Sequence, residues 1–295
     1  MLTQPMNQIP ISKPDTPIAP GLHIVATPIG NLADLSPRGR DVLSDVDVIA
    51  CEDKRHTAKL LNHYGIRTPM TAYHDHNAER ARPALLRRLA DGGAVALVSD
   101  AGTPLMSDPG YKLVREAIDA GIAVTGVPGP NAAMLALVLS GLPTDRFMFA
   151  GFLPPKSAAR RSAFEEFRSV PTTVVIHESA RRLAASLRDA AEVLGPRAAV
   201  VARELTKRHE EVRRGTLDDL AGWYEAEGAP KGEVTVVIGP PANDRVEVDE
   251  TALDARLDVL LETLSVRDAS VRLAAETGMA RRTIYERALA RRRNT

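Results

Sequence analysis

Four loops rich in glycine, proline and small polar residues could hold a ligand. They are Ala26–Asn31, Cys51–Thr57, Ser99–Gly110 and Val127–Ala133. None contains the G-x-G-x-x-G pattern or the Gly-Lys-Ser/Thr of a phosphate-binding loop, which argues against a dinucleotide or a nucleoside triphosphate. Their backbone amides and hydroxyls suit a ligand with a neutral ring, a ribose and an amino-acid end. The alternative is that they are tight turns without a ligand.

The segments that position these loops alternate between predicted strands and helices. Strands are predicted at Leu22–Ala26, Val46–Cys51, Ala94–Val98 and Ile122–Val127, and helices end at Gly92-Gly93, Gly121 and Leu139. Ala94–Val98 is apolar at every position, which is typical of a parallel strand covered on both faces. Strands separated by helices predict right-handed βαβ units and a parallel sheet. Ligands of such sheets bind beyond the carboxyl ends of the strands, where the four loops lie.

The remaining segments predict a second α/β domain and two terminal extensions. Residues 143–155, dense in Gly and Pro, predict a connection between α/β domains at 21–142 and 156–240. Strands of the second domain are predicted at Thr172–Ile176, Ala198–Ala202 and Val234–Ile238. Residues 241–295 predict a helical tail. Residues 1–20, with five prolines, predict a disordered leader.

Composition sets the class of protein. The 295 residues suffice for two domains, and 38 Lys plus Arg balance 38 Asp plus Glu. Any attraction to nucleic acid must therefore be local. The single cysteine, Cys51, excludes an internal disulfide and a cysteine-based metal site, and no metal is expected. We find no signal-peptide pattern and no apolar run near the roughly 20 residues that span a bilayer, so a cytoplasmic protein is expected.

Taken together, the loops resemble those of the tetrapyrrole methylase fold. The resemblance rests on TPIGNL at 27–32, CEDKRHT at 51–57, SDAGTPLMSDPG at 99–110 and VPGPNA at 127–132. Within that fold, GLPTDRF at 141–147, GFLPPK at 151–156, RELTK at 203–207 and RGTL at 214–217 are similar to motifs of the bacterial enzymes that 2′-O-methylate a cytidine of 16S ribosomal RNA. The resemblance spans residues 21–295. Lys54, where Thr is usual, and Ala180-Arg181, where Pro-His is usual, depart from it.

The resemblance implies a class III methyltransferase. Its fold would be two α/β domains with an S-adenosylmethionine cleft between them and a helix-turn-helix-like tail. The implied activity is methylation of a cytidine ribose in 16S rRNA of the small ribosomal subunit, by a homodimer. The implied cofactor contacts are Ile29, Gly102, Thr103, Pro104, Met106, Asn131, Ala132, His177, Ala202 and Glu233. For Met106, ordinary core packing is the alternative.

Ribose methylation also calls for a base and for phosphate contacts. A ribose hydroxyl is a poor nucleophile until it loses its proton, so a carboxylate or a neutral lysine would assist. The candidates are Glu52, Asp53, Glu178, Glu204 and Lys207, among which the sequence does not choose. Alternatively, Glu52 and Asp53 pair with Arg55 to fix their loop. Phosphate contacts are predicted at Arg55, Lys156, Arg160, Arg161 and Arg203, although residues 156–161 equally suit a solvated helix start.

The tail concentrates positive charge. Ala274, Gly278 and Ile284 have the spacing of a helix-turn-helix, in which Ala packs closely, Gly turns and Ile anchors the second helix. Residues 267–295 hold eight Arg against three acids, and Arg281 and Arg282 are predicted RNA contacts. The alternative is a helical hairpin that packs on a dimer partner, with solvated arginines.

Two other functions compete with this hypothesis. One is methylation of a tetrapyrrole or another small molecule on the same fold, against which the basic tail counts. The other is a non-catalytic DNA-binding regulator that senses a nucleotide and binds through the tail. The regulator hypothesis predicts a recognition helix free to enter a major groove.

Overall fold

A computed structural model describes residues 18–241, 250–277, 279 and 281–293. Most of the predicted leader, the segment 242–249 and Gly278 of the predicted turn lie outside the described residues. The chain forms two compact units, one up to Pro240 and one from Pro241 onward. None of the helices within the described ranges is long and apolar enough to cross a membrane.

The first sheet contains five parallel strands in the order β3-β2-β4-β1-β5. Its strands are β1 Gly21–Val25, β2 Val48–Cys51, β3 Met70–Ala72, β4 Ala94–Val98 and β5 Val124–Val127. The helices are α1 Pro37–Asp45, α2 Lys54–His63, α3 Ala78–Ala90, α4 Tyr111–Asp119 and α5 Ala132–Ser140. The predicted parallel sheet is confirmed, whereas β3, only three residues long, carried too little pattern to be predicted.

The second sheet contains five strands of mixed direction in the order β6-β7-β10-β8-β9. Its strands are β6 Phe147–Phe152, β7 Thr173–Ser179, β8 Ala198–Arg203, β9 Glu211–Thr216 and β10 Glu233–Ile238. The helices are α6 Ser157–Glu166, α7 Leu183–Leu194 and α8 Leu217–Glu227. Only β6 and β7 pair in parallel, and the other three pairings are antiparallel.

Strand β6 corrects a prediction, because it lies within the stretch 143–155 that was expected to be a connection. Phe147, Met148 and Phe149 favour a strand and pair with β7. A register shift occurs between Phe149 and Gly151, and the prolines of the stretch lie outside the strand. Gly151 has φ +63°, as expected at a bulge.

Apolar clusters cover both faces of each sheet. Two clusters sandwich the first sheet, one containing Leu43 and Ile49 and the other containing Leu22 and Leu113. The second sheet packs α6, α7 and α8 on one face and α5 on the other. Helix α5 therefore connects the loop after β5 to the core of the second sheet. The loops at the carboxyl ends of the first sheet's strands meet at this connection.

The tail is a separate bundle of three helices, α9 Glu250–Leu261, α10 Val266–Thr277 and α11 Arg281–Arg293. Leu257, Ala269, Leu273 and Ile284 are buried in its core. The anchoring role predicted for Ile284 agrees with its exposure of 1%. The tail thus has its own core, as a folded module requires.

Candidate active site

A cavity of about 870 Å³ opens where the loops after β1, β4 and β5 meet strands β6, β7 and β10. Eight of the ten residues implied as cofactor contacts line it: Ile29, Gly102, Thr103, Met106, Asn131, Ala132, His177 and Glu233. Pro104 and Ala202 do not line it. Pro104 is buried, and Ala202, 1% exposed, belongs to the core between α5 and the second sheet. The structure therefore brings most of the predicted set together.

The loop after β4 is fixed by backbone pairing with the loop after β1. Thr27 N–H donates to Gly102 O at 2.8 Å, and Gly102 N–H donates to Thr27 O at 3.0 Å. Gly102 has φ +80°, and a Cβ placed there would lie 3.3 Å from Ile29 Cγ2. Thr103 Oγ1 donates to Pro130 O at 3.2 Å, which ties the loop to the one after β5. Gly102 thus leaves a bare backbone surface at the cavity.

Two non-glycine residues of the same loop adopt left-handed backbone conformations. Leu105 has φ 72° and Ser107 has φ 70°. Such conformations are strained and cluster at ligand sites. Between them, Met106 lines the cavity with an exposure of 39%, so the alternative of ordinary core packing is wrong for Met106.

An aromatic wall closes the side of the cavity formed by the second sheet. The ring of His177 lies 5.0 Å from the Phe149 ring and 5.4 Å from the Phe152 ring, and all three residues line the cavity. His177 Nδ1 and Thr235 Oγ1 are 3.1 Å apart. Burial lowers the pKa of His177, so the ring is neutral at pH 7. Phe149 and Phe152 were missed because their strand was expected to be a connection, although the alternation of Phe147 and Phe149 was a usable signal.

The candidate bases differ in their surroundings. Hydrogen bonds from Arg55 lower the pKa of Asp53 to about 2, and Asp53 also caps α2. The alternative in which Glu52 and Asp53 pair with Arg55 therefore holds for Asp53, whereas Glu52 forms no ion pair within the described chain. The pKa of Glu52 is raised, first by burial and then by Asp100 and Asp108.

The candidates from the second sheet are bound in ion pairs. Glu178 accepts from Arg182 Nε at 2.9 Å. Lys207 Nζ donates to Glu204 Oε1 at 2.8 Å and to Glu233 Oε2 at 3.0 Å. Burial acts to lower the pKa of Lys207, but these two hydrogen bonds outweigh burial and raise it. These ion pairs favour the protonated form of Lys207, which does not suit the role of a neutral base among the candidates that the sequence left open.

Asp108 is a cavity carboxylate that the sequence did not select. It lines the cavity beside Met106 and Ser107 and has no cationic partner among the described residues. Burial raises the pKa of Asp108. Glu178 and Glu233, the other carboxylates lining the cavity in the described chain, both have cationic partners. A carboxylate with a raised pKa and no ion pair is suited to accept a proton.

The predicted phosphate contacts differ in their exposure and in their ion pairs. Arg160 is 3% exposed, and its Nε donates to Asp189 Oδ2 at 2.9 Å. The prediction for Arg160 is wrong, because a buried, paired guanidinium cannot reach RNA. Arg161 pairs with Glu192, and Arg203 pairs with Glu211 at 2.9 Å. Lys156 is exposed and forms no ion pair within the described part of the chain.

Ion pairs also occupy much of the positive charge of the tail. Asp254 and Asp258 on α9 pair with Arg287 and Arg291 on α11. Arg282 pairs with Glu286 but stays 89% exposed, and Arg281 is exposed. The two predicted contacts are therefore accessible, while Arg287 and Arg291 hold the tail helices together.

Comparisons with known proteins agree with this architecture. The chain matches the tetrapyrrole (corrin/porphyrin) methylases over residues 21–221 and the RsmI C-terminal HTH domain over residues 247–292. A Mesorhizobium japonicum protein named ribosomal RNA small subunit methyltransferase I is 49% identical over 94% of both chains. An Escherichia coli O157:H7 protein of the same name is 44% identical over 91% of this chain and 94% of its own.

A solved structure shows the same fold. Uroporphyrin-III-C-methyltransferase from Thermus thermophilus matches with a TM-score of 0.53, over 78% of this chain and 97% of its own, at 21% identity. The cavity, the two sheets and the matches over most of the chain lead to one conclusion. The chain belongs to the tetrapyrrole methylase family of S-adenosylmethionine-dependent methyltransferases.

Proposed function

We propose that this protein transfers a methyl group to the 2′-hydroxyl of a cytidine in the 16S rRNA of the small ribosomal subunit. The observation that carries the proposal is similarity over nine tenths of the chain to relatives named ribosomal RNA small subunit methyltransferase I. The match of residues 247–292 to the RsmI C-terminal HTH domain supports it, because the tail is included. The substrate assigns the protein to the cytoplasm, where ribosomes are.

The cavity fits S-adenosylmethionine, which supplies an activated methyl group when bound. Its volume of about 870 Å³ is in the range of small-molecule sites. The proposed contacts are the eight predicted residues that line it. Gly102 would let the ligand approach the backbone, and Phe149, Phe152 and Met106 would supply apolar surface. Most of the rate would come from positioning, since the methyl group is already activated.

We assign the role of general base to Asp108. Its freedom from ion pairs within the described chain distinguishes it from Glu178 and Glu233, and burial raises its pKa. Asp108 would accept the proton of the 2′-hydroxyl as the oxygen attacks the methyl carbon. The neutral His177 would contribute shape and hydrogen bonding to the site rather than charge.

The association of two copies is part of the proposal. Helix α5 exposes Met134 (42%) and Val138 (63%) beside the cavity residues Asn131 and Ala132. Exposed apolar side chains on one helix face favour a protein contact. Light scattering of the wild-type protein is expected to give twice the monomer mass, and a monomer mass would contradict the proposed homodimer.

The substrate class is tested by supplying labelled S-adenosylmethionine with three acceptors in parallel. These are purified small subunits lacking the modification, protein-free 16S rRNA and uroporphyrinogen III. We expect label in at least one RNA sample and none in the porphyrinogen. Label only in the porphyrinogen would favour the small-molecule alternative, and no label in any sample would contradict methyl transfer to all three.

A further inference from the structure

A second, smaller cavity of about 250 Å³ lies at the carboxyl edge of the first sheet. Its apolar surface includes Pro28, Leu32 and Leu60, and its polar side chains include His56, Lys59 and Asp100. This volume is below the usual range for drug-sized ligands, so it suits one small flat group such as a nucleobase.

The second cavity adjoins the proposed cofactor cavity. The paired residues Thr27 and Gly102 separate them, since Ile29 and Ala101 line one cavity while Gly30 and Asp100 line the other. The two cavities thus lie on either side of one hydrogen-bonded pair of residues, Thr27 and Gly102. A polymer with one unit at the methyl group would bring its next unit to the second cavity.

The polar side chains of this cavity differ in the hydrogen bonds that they already form. Asp100 Oδ1 accepts the backbone N–H of Asp53 at 3.0 Å, which holds the carboxylate in place. The hydroxyl of Thr27 donates to Ser99 O at 3.3 Å, and the hydroxyl of Ser99 donates to Ala101 O at 3.2 Å. Asp100 therefore presents the carboxylate of this cavity beside hydroxyls of Thr27 and Ser99 that already donate, and a carboxylate is suited to accept from an exocyclic amino group of a base.

The rim of the cavity is basic. Lys59, His56 and the neighbouring Lys54 are exposed and form no ion pair in the described part of the chain. Arg55, in contrast, forms an ion pair with Asp53. Unpaired lysines beside a base-sized cavity match a nucleotide, whose phosphate carries negative charge.

Resting on the proposed function, we propose that the second cavity holds the base of the nucleotide next to the acceptor ribose. Asp100 accepts from the amino group of that base, and Lys59 contacts the adjoining phosphate. The site therefore favours a neighbour with an exocyclic amine, and it fixes the register of the RNA strand relative to the methyl group.

The test compares Lys59→Glu with Arg87→Glu, an equal charge change in the last turn of α3 at the opposite edge of the sheet. The measurements are KM for unmodified small subunits, its salt dependence and the Kd for S-adenosylmethionine. We expect Lys59→Glu to raise KM about tenfold and to reduce the salt slope by about 1, with the cofactor Kd unchanged. Asp100→Asn, which exchanges one acceptor oxygen for a donor, is expected to raise KM about tenfold as well. Arg87→Glu should behave as wild type.

The outcomes separate this inference from the proposed function. An unchanged KM in Lys59→Glu and Asp100→Asn, with wild-type protein active on subunits, would overturn the inference alone. The same holds for an equal rise in Arg87→Glu, or for a cofactor Kd that changes as much as KM. Wild-type protein that methylates neither subunits nor free rRNA would overturn both.

Discussion

Two loops contain all four non-glycine residues with positive φ in the described chain. Leu105 and Ser107 lie in the loop after β4, and Glu204 and Thr206 lie in the loop after β8. Both loops adjoin the proposed cofactor cavity, the first directly and the second through the hydrogen bond of Lys207 to Glu233. Similar backbone strain therefore occurs on both sides of one site.

The loops differ in the ion pairs and hydrogen bonds that stabilise their strained backbones. The loop after β4 forms no ion pair within the described residues and presents Met106 and Asp108 to the cavity. The loop after β8 is cross-linked, since Lys207 joins Glu204 to Glu233 and Glu210 accepts the N–H of Thr206 at 2.7 Å. The first loop is thus suited to bind and react, and the second to support.

The largest effect is expected from Gly102→Arg, in the loop that binds. A side chain at φ +80° is strained, and the added bulk enters the cavity. S-adenosylmethionine binding, measured by calorimetry, should become undetectable while the protein still unfolds cooperatively. Gly222→Arg, at an exposed helical position with no atom within 4 Å of an added Cβ, is the control and should bind normally. Normal binding by Gly102→Arg would show that the loop is only a turn.

Asp108→Asn is expected to lower the single-turnover methylation rate by about 10²-fold, with the cofactor Kd within a few-fold of wild type. In the wild type, the rate should rise with pH through the raised pKa of Asp108, because the base acts when deprotonated. The variant should lack this rise. Asp119→Asn, on exposed α4, is the matched control. A wild-type rate in Asp108→Asn would assign the proton to another group.

Lys207→Met tests the supporting loop and should have a smaller effect. Loss of the shared cation leaves Glu204 beside Glu233, and we expect the free energy of unfolding to fall by about 1 kcal/mol at pH 7. Lys207 holds the pKa of Glu204 below its usual value. The stabilisation is therefore present above the unfolded pKa and should disappear as pH falls through the folded pKa. Lys112→Met, at an exposed lysine 3.7 Å from Glu79, should change stability less, and equal losses would contradict the account.

The smallest effect is expected from Thr206→Gly. Thr206 has φ 65°, and its buried hydroxyl has no hydrogen-bond partner within the described chain. Glycine removes both the backbone strain and the unpaired hydroxyl, but it also has greater freedom in the unfolded chain. We therefore expect the free energy of unfolding, measured by thermal unfolding, to rise by about 0.5 kcal/mol. Thr68→Gly is the control, because Thr68 Oγ1 donates to Leu43 O at 2.6 Å, and it should destabilise. A stability loss in Thr206→Gly equal to that of Thr68→Gly would show that the backbone is not strained there.

The sequence predicted the features that depend on local pattern. The apolar run Ala94–Val98 predicted a buried parallel strand, and eight of the ten implied contacts line the cavity, six of them from the loops of the first sheet. Periodicity could not predict β3, which has only three residues. At β6, Gly151 and the flanking prolines concealed the strand tendency of Phe147 and Phe149.

Long-range pairing was outside the reach of local pattern. Arg160 reads as a basic residue at a helix start, yet Asp189, 29 residues away, draws it into the core. Lys207 reads as a possible base until Glu233, 26 residues away, supplies a second carboxylate. Asp108 lies among small polar residues of the loop at 99–110, and only the assembled cavity distinguishes it as a carboxylate without an ion pair among the described residues.

The central claim is that the loop after β4 directs a methyl group to a ribose oxygen of RNA. The most direct test labels unmodified small subunits with S-adenosylmethionine, using wild-type protein and Asp108→Asn, and then hydrolyses the RNA in alkali. A 2′-O-methyl group blocks cleavage at its own nucleotide, so we predict that wild-type label stays in an alkali-resistant dinucleotide and that Asp108→Asn yields far less of it. Label recovered in ordinary mononucleotides, or equal amounts of dinucleotide from both proteins, would contradict the account.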